Sequence, residues 1–177
     1  IDAASKEKRI SKKHAGVGMA RKIGMDIALE FANPESLLFC LDADSLVVPT
    51  YFREIYLHFK LNDSVAAVVG FSHIKNENPN LEMAIRQYEL LLRNTAMKLK
   101  EAGSPFGYVA MGSTIICRSD AYISIGGMPK RKVTEDFYFL QELAKFRGVT
   151  ELKSILVYPS SRESERVYLG TGFRMSQ

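Results

Sequence analysis

The chain has 177 residues, of which 46% are hydrophobic and 25% are charged, and its formal net charge is +4. These values are ordinary for one soluble globular domain that spans residues 1–177. The modest positive charge permits anionic ligands without indicating nucleic acid. No apolar stretch reaches the roughly 18 residues of a membrane span, so any membrane association is expected to come from parts outside this chain.

Apolar periodicity and breaker residues divide the chain into alternating helices and strands. A helix is predicted at 17–32, with Ala20, Ile23, Ile27 and Phe31 on one apolar stripe. The later predicted elements are a strand at 37–41, a helix opened by Pro49, a strand at 65–71, a helix at 81–101, a strand at 114–117, a short helix ending at Gly126-Gly127, a helix at 135–147 and a strand at 152–158. This alternation predicts an α/β fold with a mixed, mostly parallel sheet flanked by helices.

The two cysteines indicate the compartment. Cys40 and Cys117 both lie inside apolar runs, which predicts buried free thiols in a reducing environment. No secretory signal is visible. We therefore expect a cytoplasmic protein, and a location at the inner face of the cell membrane is compatible with this expectation.

The most informative segment is the apolar run from Leu37 to Leu41, which leads directly into Asp42-Ala43-Asp44. Such a run predicts a strand that is buried on both faces. If the extended geometry persists, Asp42 and Asp44 point to the same side, at the edge where open α/β sheets bind ligands. A divalent cation, Mg²⁺ or Mn²⁺, would relieve their mutual repulsion. The alternative is a polar turn that closes the strand.

A second acidic site opens the helix predicted at 135–147. Thr134 is expected to cap this helix, which places Glu135 and Asp136 in its first turn. The helix dipole there favours negative charge, so Asp136 is expected to stay ionised at neutral pH and to be able to accept a proton. Acidic residues at a helix start are also routine capping, and that interpretation stays open.

Two basic features accompany the acidic sites. Glycines at 16, 18 and 24 flank a helix start that carries Arg21, where backbone amides and a guanidinium can approach an anion. Lys130-Arg131-Lys132 follows the glycine loop, where cations would help a phosphate group leave. A solvated loop is the alternative interpretation of these three cations.

Taken in order, these sites resemble glycosyltransferase family 2, the inverting enzymes of GT-A fold that use nucleotide sugars. The matching residues are Gly16, Gly18, Ala20-Arg21-Lys22 and Gly24, then Asp42-Ala43-Asp44, then Gly112-Ser113 with Arg118, then Gly126 to Pro129, and finally Thr134-Glu135-Asp136. Lys22 stands where the family usually has Asn. The last motif looks like the TED sequence of processive polysaccharide synthases. The resemblance covers nearly the whole chain and implies a GT-A-like, partly Rossmann-like fold.

The resemblance also implies roles. Asp42 would contact the nucleotide sugar and, with Asp44, the divalent metal, while Arg21 and Gly24 would lie on the donor side. Asp136 would be the general base that deprotonates an acceptor hydroxyl on a saccharide, lipid or other molecule. Glu135 would shape the acceptor site. The implied reaction is a single in-line displacement at the anomeric carbon.

The chain also departs from the family pattern. The family opens with a βαβ unit that supplies most of the base-binding pocket, and this sequence begins after it, so we expect a fragment that is inactive alone. No His follows the last predicted strand as a further metal ligand, and the QxxRW motif of processive synthases is absent. Arg162 or Arg166 is instead a candidate to bind the diphosphate.

Two other function classes remain open at this stage. One is a nucleotidyltransferase or sugar-phosphate enzyme that uses the Asp pair for metal. The other is a non-catalytic GT-A-like binding module. The Thr134-Glu135-Asp136 motif distinguishes an enzyme from a binding module, because a binding module has no need of a base beside a metal site.

Overall fold

A computed structural model of the chain describes Ser5, Glu7, Ile10, Ser11 and residues 15–131 and 133–162. Most of the basic segment at 5–13, as well as Lys132 and Arg166, therefore lies outside the described residues. The elements are α1 (Val17–Ala28), β1 (Leu37–Phe39), β2 (Leu46–Val47), α2 (Tyr51–Leu61), β3 (Ala66–Phe71), α3 (Pro79–Glu101), β4 (Ile115–Arg118), α4 (Ser119–Ser124), α5 (Glu135–Arg147) and β5 (Thr150–Tyr158).

The five strands form one mixed sheet in the order β1-β4-β3-β5-β2. The predicted α/β class and the mixed sheet are thus confirmed. The prediction that the sheet is mostly parallel is not confirmed: among the described strands β3 and β5 pair in parallel, while β1 with β4, β3 with β4 and β2 with β5 are antiparallel.

The connection between β3 and β4 explains this difference. A crossover by one helix would bring β4 in parallel to β3. Here the chain leaves α3 at Glu101 and doubles back, and Gly107 lies so close to Lys100 that an added Cβ would be 2.7 Å from the Lys100 Cα. The returning segment reaches a short 3-10 turn at Gly112–Thr114, and β4 begins beside the end of β1. Strand β4 therefore runs in the opposite direction to β1 and β3.

Helices cover both faces of the sheet. On one face, α1, α4 and α5 pack on alternate strand residues such as Val68 and Cys117. On the other face, α2 and part of α3 pack on the intervening residues, among them Val69 and Ile116. This alternation is what the period of two along a strand requires when both faces are buried.

The predicted apolar stripe of α1 is wrong. Ala20 and Ile27 are exposed, and 86% of Phe31 is accessible to solvent. The inward face instead carries Gly18 and Met25, with Arg21 between them. Ion pairs on Arg21 and a close backbone contact at Gly18 hold this face of the helix inward.

Two further expectations concern burial and membrane contact. Cys40 and Cys117 are free and buried, as predicted. Burial raises the pKa of Cys40 to about 12, so the thiol is inert at neutral pH. Within the part of the chain that the structure describes, no helix has both the length and the apolar character needed to cross a membrane.

Candidate active site

Arg21 is the centre of a charged cluster at the end of β1. Its side chain is only 12% exposed, and its Nη2 atom donates to Oδ1 of Asp42 at 2.5 Å. Its Nη1 atom donates to Oε1 of Glu135 at the start of α5. One guanidinium therefore joins three segments that are far apart in the sequence, and two separate carboxylates satisfy its donors.

Gly112 makes room for this guanidinium. A Cβ built on Gly112 would lie 2.6 Å from Cζ of Arg21, so a side chain here would displace Arg21. The next residue, Ser113, donates from its hydroxyl to Oδ2 of Asp42 at 2.8 Å. Gly112-Ser113 is part of the family resemblance, but the resemblance assigned no role to either residue. A Gly-Ser pair just before an apolar strand is the signal that was available.

The extended geometry that would point Asp42 and Asp44 to the same side does not persist as far as these residues. β1 ends at Phe39, and the last bond to β4 runs from the Cys40 amide to the Ile115 carbonyl at 2.9 Å. Beyond Cys40 no strand in the described part of the chain pairs with this segment, since β4 begins only after the 3-10 turn. The chain then turns, and the Ser45 amide donates to the Asp42 carbonyl at 3.0 Å.

Asp44 has a different partner. Its Oδ2 atom accepts from Nη2 of Arg162 at 2.6 Å, and both side chains are about half exposed, at 40% and 56%. Arg162 follows the last strand, β5, and was predicted on the donor side. The structure thus brings it to the Asp42–Ser45 turn, where it neutralises the outer carboxylate.

The start of α5 is built differently from the prediction. Thr134 has φ 60° and ψ 18°, a left-handed conformation that is unusual for a β-branched residue. Its hydroxyl donates to the Val133 carbonyl at 2.6 Å and caps no helical amide. The capping prediction is therefore wrong, because the turn that aims Glu135 inward directs the Thr134 hydroxyl back along the chain. Strain of this kind costs about 1–3 kcal/mol and is concentrated at functional sites.

Glu135 and Asp136 do lie in the first turn of α5, as predicted. Glu135 is buried, and Oδ1 of Asp136 accepts the Phe137 amide at 2.8 Å. Burial raises the pKa of both carboxyls, and Asp136 raises that of Glu135 further, although Arg21 opposes both shifts. The helix start was expected to favour the charged forms, and burial outweighs it.

Gly24 stays apart from these residues. It is exposed in the middle of α1, and a Cβ built on it would meet nothing within 4 Å. Gly18 behaves in the opposite way, since its Cβ would lie 2.9 Å from Cβ of Glu135 and 2.5 Å from the Arg131 carbonyl. Of the two glycines, Gly18 is the one that allows α1 to approach α5.

A metal site is not preformed in the described part of the chain. No three His, Cys, Asp or Glu side chains converge there in a way suited to a metal ion. The carboxylates available at the end of β1 are Asp42, whose two oxygens are both hydrogen-bonded, and Asp44, whose Oδ2 pairs with Arg162.

Comparison with models of known protein families gives no match, and comparison with characterised proteins gives none either.

Proposed function

We propose that this chain is the catalytic part of a glycosyltransferase that moves a sugar from a nucleotide-sugar donor to an acceptor hydroxyl with inversion. The observation that carries the proposal is the cluster around Arg21. It gathers Asp42 and Glu135 from two distant motifs at one end of the sheet, with Asp136 beside them. Burial raises the pKa of Glu135 and of Asp136, and carboxyls with a raised pKa beside a guanidinium are expected of a reactive site.

The donor would bind at the Asp42–Ser45 turn. Asp42 is held by Arg21 and Ser113, so its position is fixed before a ligand arrives. Preorganised groups of this kind orient a substrate at low entropic cost. Arg162 lies at the same turn, 2.6 Å from Asp44, and is within reach of a diphosphate that displaces this contact.

The residues present fit a hard divalent cation of the Mg²⁺ or Mn²⁺ type. Mg²⁺ is usually bound by one or two carboxylates, with substrate phosphates and water completing its ligands. The Asp44 side chain is 40% exposed, and its ion pair with Arg162 uses Oδ2. Asp44 would hold the metal, with Asp42 adjacent, and the bound cation would neutralise charge on the departing diphosphate.

Asp136 would act as the general base. The acceptor oxygen bonds to the anomeric carbon while the bond from that carbon to the diphosphate oxygen breaks. The electron pair leaves with the nucleoside diphosphate, and the hydroxyl proton passes to Asp136. Burial raises the pKa of Asp136, and a base is most effective when its pKa approaches the working pH.

One observation favours a second candidate, a non-catalytic binding module of the same fold. Asp42 and Asp44 are each paired with an arginine, which is an arrangement that needs no metal. In that case the cluster would serve to stabilise the turn. Metal-dependent nucleotide binding separates the two candidates.

Calorimetry with Mn²⁺ and UDP or GDP tests the proposal on the protein as its gene encodes it. We expect binding that requires Mn²⁺ and weakens by about tenfold or more in Asp42→Asn/Asp44→Asn, because charge-assisted contacts are lost. The control is Asp63→Asn/Glu151→Gln, which removes two surface carboxylates that pair with Arg147 and Lys100. Unchanged binding in the Asp42/Asp44 variant, with its circular dichroism intact, would reject the proposed site.

A further inference from the structure

A groove of about 380 Å³ lies beside the proposed active site. Its walls are α1 and α5, and its floor is the glycine loop before α5. Three cations line it, namely Lys22, Lys130 and Arg131, together with Tyr138 and a single carboxylate, Glu142. The groove is therefore positively charged on balance.

Two of these cations form no ion pair within the described residues, although Lys130 lies near enough to Asp26 for its charge to lower the pKa of that carboxyl. Lys130 and Arg131 are exposed, and neither forms an ion pair there, whereas Lys22 contacts Asp26 at 2.9 Å. Glu142 pairs with Lys145 at 2.7 Å, so its charge is already compensated. Exposed cations that form no ion pair give the groove a positive potential, which attracts an anionic group.

The side chain of Arg131 is held in an orientation that suits the binding of an anion. Its guanidinium lies 3.6 Å from the centre of the Tyr138 ring, stacked on the face of the aromatic side chain. Stacking leaves the N–H groups at the edge of the guanidinium plane free to bind a carboxylate or phosphate in a fork. The ring thus fixes a donor array that would otherwise be mobile.

Glycine at 127 keeps the groove open on the side of α1. Gly127 has φ 80°, and a Cβ built on it would lie 3.1 Å from Nζ of Lys22 and from the Tyr122 hydroxyl. The Lys22 side chain therefore lies directly against the glycine loop. The family that the sequence resembles usually has Asn where this chain has Lys22, so the positive charge at residue 22 is a feature of this chain.

The groove and the Arg21 cluster share their walls. Arg21 and Lys22 are neighbours on α1, and Glu135, Tyr138 and Glu142 recur at helical spacing on α5. At Gly18 the two sites almost meet, because its Cβ would lie 2.5 Å from the Arg131 carbonyl and 2.9 Å from Cβ of Glu135. The groove therefore adjoins the cluster to which the proposed base, Asp136, belongs.

We propose that the groove binds an anionic oxyacid group, a carboxylate or a phosphate, and that this group belongs to the acceptor. The assignment to the acceptor rests on the proposed function, while the anion site itself rests on the groove. The substrate class is then an acidic acceptor, such as a uronic acid or a phosphorylated sugar, and a neutral glycan is excluded as the preferred acceptor.

Matched probe pairs test this by NMR titration of the Gly126 and Gly127 amides in the protein as its gene encodes it. Methyl glucuronide is compared with methyl glucoside, and glucose 6-phosphate with glucose, so the two arms separate a carboxylate from a phosphate. We expect the charged member of at least one pair to bind about tenfold more tightly. Equal binding of charged and neutral members in both pairs would overturn the proposal.

Three variants locate the effect. Lys130→Gln/Arg131→Gln should abolish the difference between charged and neutral probes, and Lys130→Arg, which keeps both charges and the stacked guanidinium of Arg131, should retain it. Lys100→Gln/Arg147→Gln makes the same change in net charge at two cations that pair with Glu151 and Asp63, and should also retain it. A difference that survives in the first variant would overturn the groove assignment.

Competition separates this inference from the proposed function. Saturating UDP with Mn²⁺ should leave the charged probe bound, because the groove is distinct from the donor site. Displacement by UDP would show that the groove binds the donor and would overturn the acceptor assignment. An intact preference for the charged probe in a protein that binds no nucleotide would support the anion site and reject the transferase.

Discussion

Two charged clusters in the described part of the chain have central residues of opposite charge. In one, the guanidinium of Arg21 lies between the carboxylates of Asp42 and Glu135. In the other, the carboxylate of Glu89 on α3 is almost fully buried among donors and cations. The first cluster has more acids than bases at the end of a strand, while the second is fully compensated on the opposite face of the sheet.

The Glu89 cluster joins α3 to the segment after β3. The Oε1 atom of Glu89 accepts hydrogen bonds from the His73 backbone amide at 2.6 Å and from the His73 ring Nδ1 at 2.9 Å. Arg86 and Arg93 contact the same carboxylate at 3.1 and 3.2 Å. Burial opposes its charge, but the hydrogen bonds from His73 and the charge of Arg93 lower the pKa of Glu89.

The pKa directions therefore separate the two clusters. Where partners outnumber a carboxylate, the fold stabilises its charge and the residue holds elements together. Where carboxyls outnumber the cation, as with Glu135 and Asp136, burial raises the pKa and the fold holds them at a cost in stability. Groups held in that state are candidates for proton transfer.

The largest expected change in stability is at Arg21. Arg21→Met leaves Glu135 buried without its cation, and we expect the free energy of unfolding to fall by about 3–5 kcal/mol, measured by urea unfolding. Arg147→Met is the control, because its partner Asp63 is 79% exposed and such surface pairs contribute at most about 1 kcal/mol. Equal stability of the two variants would show that Arg21 is not the centre of the cluster.

Glu89→Gln should destabilise the protein less. It keeps the shape and one acceptor oxygen and loses the charge that His73 and the arginines contact, so we expect a loss of about 1–3 kcal/mol. Mn²⁺-dependent binding of UDP or GDP should be unaffected wherever the variant remains folded. A loss of nucleotide binding by folded Glu89→Gln would remove the distinction between a structural and a functional cluster.

The two clusters should also respond to pH in opposite directions. A carboxyl whose pKa is raised by folding stabilises the protein at low pH, and this contribution is lost as the pH rises from its ordinary pKa of about 4 through the raised value. For Glu89, whose pKa is lowered, the contribution is present above the ordinary pKa and is lost as the pH falls.

Urea unfolding of the wild type, Glu135→Gln and Glu89→Gln between pH 3 and 7 checks these signs. Relative to the wild type, Glu135→Gln should gain stability with rising pH, and Glu89→Gln should lose it. Slopes of the same sign for the two variants would contradict the account.

The smallest expected change is at Gly24, which the sequence predicted on the donor side. Gly24→Ala meets open space in the middle of a helix, and we expect it to stabilise the protein by about 0.5–1 kcal/mol. Gly112→Ala is the contrasting variant, since its Cβ would displace Arg21 and should lower stability. Destabilisation by Gly24→Ala would mean that this glycine has a contact that the structure does not show.

Several elements were predictable because one local pattern determines them. Strands β1 and β3 are apolar on both faces, and α5 begins at two acidic residues and ends at Gly148, which has φ 88°. The direction of β4 was not predictable, because it depends on the path of residues 102–114, which have no periodicity. The two-residue strand β2 is too short to leave a pattern.

The site was predictable as a set of residues and not as a geometry. Arg21, Asp42 and Glu135 were singled out separately, and they do meet. Their mutual pairing depends on the packing of α1 against α5, and the local sequence of either helix does not predict that packing. For the same reason the sequence predicts an apolar stripe on what is the outer face of α1.

The central claim is that Asp136 accepts the acceptor's proton, and the rate of nucleoside diphosphate release tests it most directly. The protein as its gene encodes it is assayed with UDP-glucose, UDP-N-acetylglucosamine and GDP-mannose in Mn²⁺, with methyl glucuronide as acceptor. Asp136→Asn should lower kcat by about 10²–10⁴-fold with unchanged donor affinity, while Asp63→Asn matches the wild type. Near-normal turnover by Asp136→Asn, or a loss explained by unfolding alone, would contradict the assignment.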